Sequence, residues 1–471
     1  MRLLSRLPLA GAVLSSVWLL SACVDLAPAY QRPDAPVAPT WPASASAPAN
    51  GQASARDAAD IGWHDFILDE RLRRVIELAL ANNRDLRVAV LNVEQSRAQY
   101  RIQDASSLPN VSGGGSFTRS YAGGVASNSV GVSVALSGYE IDLFGHVKNA
   151  NAAALQAWLA TTEGARSARI SLVAEVATQW LALAADAETQ RLNERMLALD
   201  DRSLDLNRRM HDLGAIKGLP VVQAQAAFEA ARGAVAAGRS QVQLDRNALR
   251  LLVGQDVPED LLPVQALPAQ SATLLDVPGG LPSRVLQQRP DVLAAEHSLQ
   301  QSQLEIGVAR AAFFPTITLT GNAGTSSTEL SGLFKSGTGT WSFGPSISVP
   351  IFNGGALQAG LDSAKAGREI ALANYDKAVQ VAFREVADAL AVRGTLAERV
   401  SAQQAQTRAS AAALRDADAL FRNGSVSYLE VLTAQRSLYS SQQSEIALNL
   451  TEQDNRIALY KALGGGWKES N

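Results

Sequence analysis

The side chains that ordinarily carry chemistry are few and scattered in this 471-residue chain. Its four histidines, His64, His146, His211 and His297, lack the close spacing that holds a metal ion. A single cysteine, Cys23, cannot form an internal disulfide, which leaves a thiol that is either free or modified. There is no phosphate-cradling glycine loop ending in Gly-Lys-Ser/Thr, and no Gly-x-Ser-x-Gly nucleophile elbow. With only three methionines, a methionine-based relay for copper is disfavoured, although other metal export is not. A net charge of −3, with 18% of residues charged, leaves no basic face for nucleic acid. The residues thus point to no enzyme, metal site or cofactor, and the function has to lie in the elements themselves.

The N-terminus is the first of these. Arg2 and Arg6 precede an apolar stretch from Leu7 to Leu20 and then small residues, the pattern of a secretory signal peptide over residues 1–22. It ends Leu20-Ser21-Ala22-Cys23, which resembles a bacterial lipobox; the resemblance implies cleavage before Cys23 and a covalently attached lipid, palmitate included, on that residue. Val24 stands where aspartate would signal inner-membrane retention, so the resemblance implies the outer membrane. Residues 23–60 carry Pro28, Pro33, Pro36, Pro39, Pro42 and Pro48, which forbid a helix and predict an extended segment over the surface, with Tyr30 and Trp41 as docking points. Beyond the N-terminus no apolar run approaches the ~20 residues of a membrane-spanning helix. A crossing of a bilayer would be made by strands.

The longest uninterrupted element is predicted between Val147 and Asp212, without a proline until Pro220. Leu192, Met196, Leu199, Ser203, Leu206, Met210 and Leu213 recur at 4-3-4-3 spacing, which predicts a coiled-coil stripe. Such a helix would be roughly 100 Å long and needs a companion. The chain supplies one by repeating itself. Glu175-Val176-Ala177 returns as Glu385-Val386-Ala387, Gly214 as Gly424 and Ala224-Gln225 as Ala434-Gln435; with a slightly smaller offset Asp85, Ala105 and Pro109 return as Asp291, Ala311 and Pro315.

The first repeat, 61–254, is predicted as a helix from about Asp69 to Ala105, a β-hairpin over 111–140, a long helix over 147–212 and a return helix over 220–252. A proline-marked connection, 255–283, suggests a small belt. The second repeat, 284–463, brings a helix, a hairpin over 316–350, a long helix over 356–423 and a return helix over 427–463, before a tail over 464–471. In the first hairpin Val130, Val132, Val134 and Leu136 alternate with Ser129, Gly131, Ser133, Ala135 and Ser137, and Ala122–Asn128 is read as the exposed loop. In the second, Ile317 and Leu319 alternate with threonines, and Trp341, Phe343, Ile347 and Val349 with small or polar residues. Phe117, Tyr121, Trp341 and Phe343 would suit an interfacial aromatic girdle. Each strand is long enough to cross a bilayer when tilted, yet four strands cannot close a barrel whose smallest examples have eight. Because open edges are not tolerated in hydrocarbon, the wall has to be shared between chains.

At this point several motifs carry a family resemblance. Tyr139-Glu140-Ile141-Asp142-Leu143-Phe144-Gly145 resembles the signature of TolC-like outer-membrane factors, in the lipoprotein branch that serves resistance-nodulation-division efflux pumps. So do Pro28-Ala29-Tyr30-Gln31-Arg32-Pro33, Ile61-Gly62-Trp63, Leu281-Pro282-Ser283, Gln288-Arg289-Pro290-Asp291 and the run Gly307–Pro315. His146 stands where relatives commonly carry a basic residue and is read as a helix-start or interfacial group. The resemblance implies an α+β membrane protein. Its fold would be a homotrimer with a twelve-stranded outer-membrane β-barrel continued by a periplasmic α-helical barrel with an equatorial belt. It implies an exit duct for drugs and other small toxic compounds. The partners would be a periplasmic adaptor, an inner-membrane transporter of that class and outer-membrane lipid, with no cofactor beyond the lipid on Cys23. Rival readings are the same fold exporting metal ions or secreted proteins, and a structural coiled-coil lipoprotein. Gln223, Gln225, Gln241, Gln243, Gln403, Gln404 and Gln406 would be wall residues.

In the family a gate follows the second glycine turn, in a Leu-x-x-Leu-Asp-Ala pattern. Here the run is Leu429-Glu430-Val431-Leu432-Thr433-Ala434. Leu429 matches the hydrophobic ring, Thr433 replaces the aspartate, and Glu430 is the nearest acidic substitute. The turns at Gly214 and Gly424 would dock the adaptor, with Arg422 clamping the closed tip against Asp212.

Overall fold

The computed structural model describes residues 25–41, 61–263, 273–275 and 283–465. The signal peptide, Cys23 and the Leu281-Pro282 motif lie outside the described residues. The helices are α1 (Trp63–Phe66), α2 (Glu70–Asn82), α3 (Arg84–Ala105), α4 (His146–Asp212), α5 (Gly218–Val253), α6 (Pro290–Ala311), α7 (Ala356–Arg422) and α8 (Tyr428–Ala462). The strands are β1 (Val111–Ala122), β2 (Val125–Glu140), β3 (Thr316–Ser327) and β4 (Gly339–Ser348). Short 3₁₀ turns lie at Glu259–Leu261, Ser283–Gln288 and Leu330–Gly332.

The repeat is metrically tight. α4 and α7 both have 67 residues, and their first residues, 146 and 356, lie 210 apart, as do the starts of α5 and α8 at 218 and 428. α3 and α6 both have 22 residues, at the smaller offset of 206 between Arg84 and Pro290. The glycines with left-handed φ recur with the longer offset: Gly145 and Gly355, Gly214 and Gly424, Gly254 and Gly464. Each turns the chain where an L side chain would be strained.

The chain divides into two compact units. The first comprises Met1–Asp34, Leu91–Glu163 and Leu293–Ala378 and holds the sheet, whose strand order is β1-β2-β3-β4, antiparallel throughout. Strand register puts the apolar side chains together. Val130 lies opposite Phe117, Leu136 opposite Val111, Val134 opposite Ala323, Ala323 opposite Trp341 and Gly321 opposite Phe343. Since neighbours across a ladder share a face, one side of the sheet is lined with valine, leucine, phenylalanine and tryptophan, and the other with serine, threonine, glycine and Asn322. Phe117, Tyr121, Trp341 and Phe343 are all exposed in the single chain. The first hairpin is tighter than the sequence predicts. Ala122 pairs with Val125 and Arg119 with Asn128, so most of the expected loop is strand and the turn is only Gly123-Gly124. Both glycines have positive φ, 59° and 86°, as a two-residue turn between twisted strands requires.

The second unit comprises Ala35–Val90, Gly164–Val292 and Val379–Asn471. Phe66 stacks on Tyr460 with ring centroids 3.9 Å apart, and the Tyr460 hydroxyl donates to the Ile61 carbonyl at 2.8 Å. Trp180 Nε1 donates to the Leu261 carbonyl at 3.0 Å. Arg289 of the Gln-Arg-Pro-Asp motif is buried, holding Asp291 and Glu385 and donating to the Ala462 carbonyl. A Cβ on Gly254 would sit 2.5 Å from the Asn82 carbonyl oxygen, so the glycine permits close backbone approach there.

Three expectations are corrected here. The single helix expected over Asp69–Ala105 is two, because Asn83 adopts an extended ψ of 131°. Its side-chain oxygen accepts from the Leu86 amide at 2.7 Å while its Nδ2 donates to the Leu252 carbonyl at 2.8 Å; a capping asparagine anchored on another helix ends one helix and starts the next. The inward line of α4 is also displaced. Leu192 is buried, but Leu199, Leu206 and Leu213 are 43%, 47% and 83% exposed, whereas Asn193, Asp200, Leu204 and Asn207 are buried. The buried line keeps a seven-residue step, through Asn193, Asp200 and Asn207, but sits one residue on from the leucines, about 100° around the helix, so Leu199 and Leu206 face away from the chain's own helices. Finally, one 18-residue window of α4 has a mean hydropathy of 1.2, enough by composition for a spanning helix, but 61% of it is buried within the chain.

Candidate functional site

The two glycine turns are built alike. After α4 the Ala215 amide donates to the Met210 carbonyl at 2.8 Å, and after α7 the Ser425 amide donates to the Leu420 carbonyl at 2.9 Å. Gly214 and Gly424, at φ 75° and 72°, make these closures possible. A hydrophobic cluster of Leu204, Ala224, Ala227, Tyr428, Val431 and Leu432 lies beside them, with Phe228, Leu414, Ala417 and Phe421 packed against it. Because α8 commits Tyr428, Val431 and Leu432 to that cluster, its remaining face is turned out. Leu429 is 50% exposed, and Glu430 and Thr433 are exposed as well. Thr433 lies four residues from Leu429 and three from Glu430, so it sits beside both on the exposed side of α8. The Thr433 hydroxyl donates to the Leu429 carbonyl at 2.8 Å, so it is spent within its own helix.

The expected clamp is not formed. Arg422 pairs at 2.5 Å with Asp418, one turn earlier in the same helix, and not with Asp212. The i,i+4 spacing brings the two groups together at no cost in chain geometry. Several of the glutamines are engaged within their own helix or with the neighbouring one. Gln225 binds Arg208 and Glu229, Gln241 donates to Asp245, Gln243 to Asn247, and Gln403 to the Ser441 carbonyl.

A buried polar line runs along α4, which sequence reading missed. Asn193, Asp200 and Asn207 are spaced by seven and are 5%, 2% and 1% exposed. Asn193 accepts from the Tyr439 hydroxyl at 2.5 Å and donates to the Ala234 carbonyl at 3.2 Å, and Asn207 donates to the Ser203 carbonyl at 2.8 Å. Asp200 lines a cavity of about 180 Å³ with Met196, Ala227, Leu432, Arg436 and Tyr439, and its Oδ1 has no hydrogen-bond partner. Burial raises its pKa to about 6, against the weaker pull of Arg436. The seven-residue recurrence of short polar side chains was the available signal. Elsewhere in the second unit, burial and the neighbouring Asp186 carboxyl raise Asp245 in the same direction.

In the first unit the N-terminal segment is docked as an extended strap. Tyr30 donates to Glu296 at 2.9 Å, and Arg32 grips the same carboxylate through two bonds, of 2.9 and 2.6 Å. Burial and that carboxylate push the Tyr30 hydroxyl up to about 12. In the second unit Trp41 stacks on Phe383 at 4.7 Å. His146 opens α4: its amide donates to Asp142 at 2.8 Å, and its Nδ1 lies 3.1 Å from Glu140. This matches the reading of a helix-start residue. His297 meets only the Gln156 amide oxygen, at 2.7 Å.

Comparison with known proteins places this architecture. The family model described as "Outer membrane efflux protein" matches residues 75–255 and 281–465. The probable efflux pump outer membrane protein TtgC of Pseudomonas putida is 42% identical over 465 residues, covering 96% of this chain and 95% of that protein. The cation efflux system protein CusC of Escherichia coli is 39% identical over 457 residues, with 96% and 97% covered. Among solved structures, the open state of the MtrE outer membrane channel of Neisseria gonorrhoeae aligns with a TM-score of 0.85 at 38% identity, covering 94% of this chain and 99% of that one. The chain belongs to the family of outer membrane efflux proteins.

Proposed function

We propose that three copies of this chain form the exit duct of a tripartite efflux pump. The duct passively conducts drugs and other small toxic compounds from a periplasmic adaptor and an inner-membrane transporter to the exterior. The observation that carries this reading is the sheet: four strands with one largely apolar face, broken by Arg119 and Asn128 toward the first hairpin's tip, and with β1 and β4 at open edges. An apolar face without a covering layer suits lipid, and an unpaired edge in lipid costs several kcal/mol per backbone group, so the edges have to be closed by further copies. Exposed Leu199 and Leu206 on α4, with Leu213 just past its end, offer those copies a second contact.

Cys23 carries lipid in this reading, Leu429 and Glu430 narrow the resting pore, and the turns after Asp212 and Arg422 receive the adaptor. No catalytic group is assigned, and the energy for transport comes from the inner-membrane partner. Relatives are named for efflux of toluene, antibiotics and cations, which supports a duct indifferent to cargo and a choice of compound made upstream. The test is the protein mass of the detergent-extracted particle by light scattering. Three chains are expected; a stable monomer would overturn the shared barrel.

A further inference from the structure

The Pro28–Pro33 motif and the residues just before it run along α6, whose C-terminal end carries the start of the Gly307–Pro315 motif. Arg310, Gln303 and Glu296 are spaced by seven along α6. Arg310 donates to the Leu26 carbonyl at 2.9 Å, Gln303 to the Pro28 and Ala29 carbonyls at 3.0 and 2.8 Å, and Glu296 accepts from Tyr30 and Arg32. The spacing has a metric reason. Seven helical residues rise ~10.5 Å, and three residues of extended chain cover ~10 Å. Residues 26, 29 and 32 therefore meet 310, 303 and 296 in step. Gly307 completes the groove: a Cβ there would lie 2.8 Å from the Ala27 Cβ and 2.7 Å from the Asn149 Nδ2.

The near end of the strap reaches a second helix. Asp25 accepts from Lys148 at 2.7 Å and from Asn149 at 3.1 Å, both in the first turn of α4. The Lys148 ammonium holds the Asp25 carboxyl below its usual pKa. α4 begins six residues after the end of β2 at Glu140, and α6 ends five residues before the start of β3 at Thr316. The strap thus ties together the helices that leave β2 and enter β3. Phe144 stacking on Phe314 at 4.6 Å lies between the same two roots.

This matters because of how the sheet is made. β1 and β2 share a two-residue turn that sets their register, and β3 and β4 are joined by eleven residues that include the Leu330–Gly332 turn, so each pair is held by a nearby connection. β2 and β3 pair across the junction of the repeats, with 175 residues between Glu140 and Thr316 and no turn to align them. A slip by one residue would put the apolar side chains on the polar face.

We propose that residues 25–32 are a register clamp, whose binding to α6 and to the first turn of α4 sets the alignment of β2 with β3. The role is independent of what the duct conducts. Two reporters test it in the full chain in detergent. A spin label at Gln31→Cys, an exposed strap position, reads docking. A separate cysteine pair reads register: Ala135→Cys with Asn322→Cys, which are partners across the ladder, against Ala135→Cys with Thr320→Cys, shifted by two.

In the parent the label is immobilised and the partner pair crosslinks. Glu296→Arg is expected to free the label, lower the partner crosslink several-fold and bring up the shifted one, and Arg32→Glu in the same chain is expected to restore both. Gly307→Ala leaves every charge in place and would favour an isolated helix. Here it is expected to free the label through the clash with Ala27 and to shift the crosslink in the same way. A freed label with an unchanged crosslink pattern in both variants overturns the clamp. A label that stays immobilised in both overturns the ladder itself.

Discussion

Asp200→Asn should stabilise the helices beside the glycine turns, and only above about pH 5. The folded chain holds the Asp200 proton up to about pH 6, whereas an unfolded aspartate releases it near 3.8. Between those values the folded state binds the extra proton, so stability falls as pH rises through the window and stays lowered above it. The difference corresponds to ~3 kcal/mol against the ionised form. Burying an amide in its place, in a cavity of about 180 Å³ lined mainly by alanines, Met196 and Leu432, costs ~1–2 kcal/mol. A net gain of ~1–2 kcal/mol at pH 7.5 remains, a ~5- to 30-fold decrease in local opening. Hydrogen exchange followed by mass spectrometry on the intact particle reads this directly, in peptides covering 196–208 and 428–440. Slower exchange in the variant at pH 7.5, matching the parent near pH 5 and faster than the parent below it, is the expected result. Faster exchange in the variant at pH 7.5 would mean that attraction to Arg436 outweighs burial, and the reasoning would fail.

The remaining predictions concern the gate and the turns. Leu429→Ala and Glu430→Ala should each widen the resting pore, measured as antibiotic uptake in cells lacking an active pump; unchanged uptake in both would remove these residues from the gate. Gly214→Ala and Gly424→Ala place a Cβ at φ 75° and 72°, costing ~1–2 kcal/mol at each turn. Crosslinking to the periplasmic adaptor should fall in both variants, and undiminished crosslinking would count against docking there.

Much of the architecture was legible because its signals are periodic and local. The seven-residue stripes, the period-two alternation of Val130–Leu136 and the punctuation by Pro109, Pro315, Gly214 and Gly424 mark elements by their own residues. The tandem repeat then doubles every signal. The proposed gate residues come from a motif, and their shared outward face follows from helical spacing once Val431 and Leu432 are known to point inward. The bond from Arg422 to Asp418 was within reach of an i,i+4 reading, but the turn beside it drew attention to Asp212.

What the residues alone determined is the list of elements, their order and the two-residue rhythm that gives the sheet an apolar side. Each of these depends on neighbours within a turn or a strand. Tertiary structure decided which line of α4 faces inward, since two seven-residue lines one position apart, Leu192-Leu199-Leu206 and Asn193-Asp200-Asn207, fit the same helix and only the packed neighbours choose between them. It decided that Asn83 breaks a helix, because the partner of its side chain lies at Leu252. It also decided that the strap lies along Glu296, Gln303 and Arg310. That contact joins residues more than 260 positions apart, and no local pattern shows that an extended segment and a distant helix share a common step.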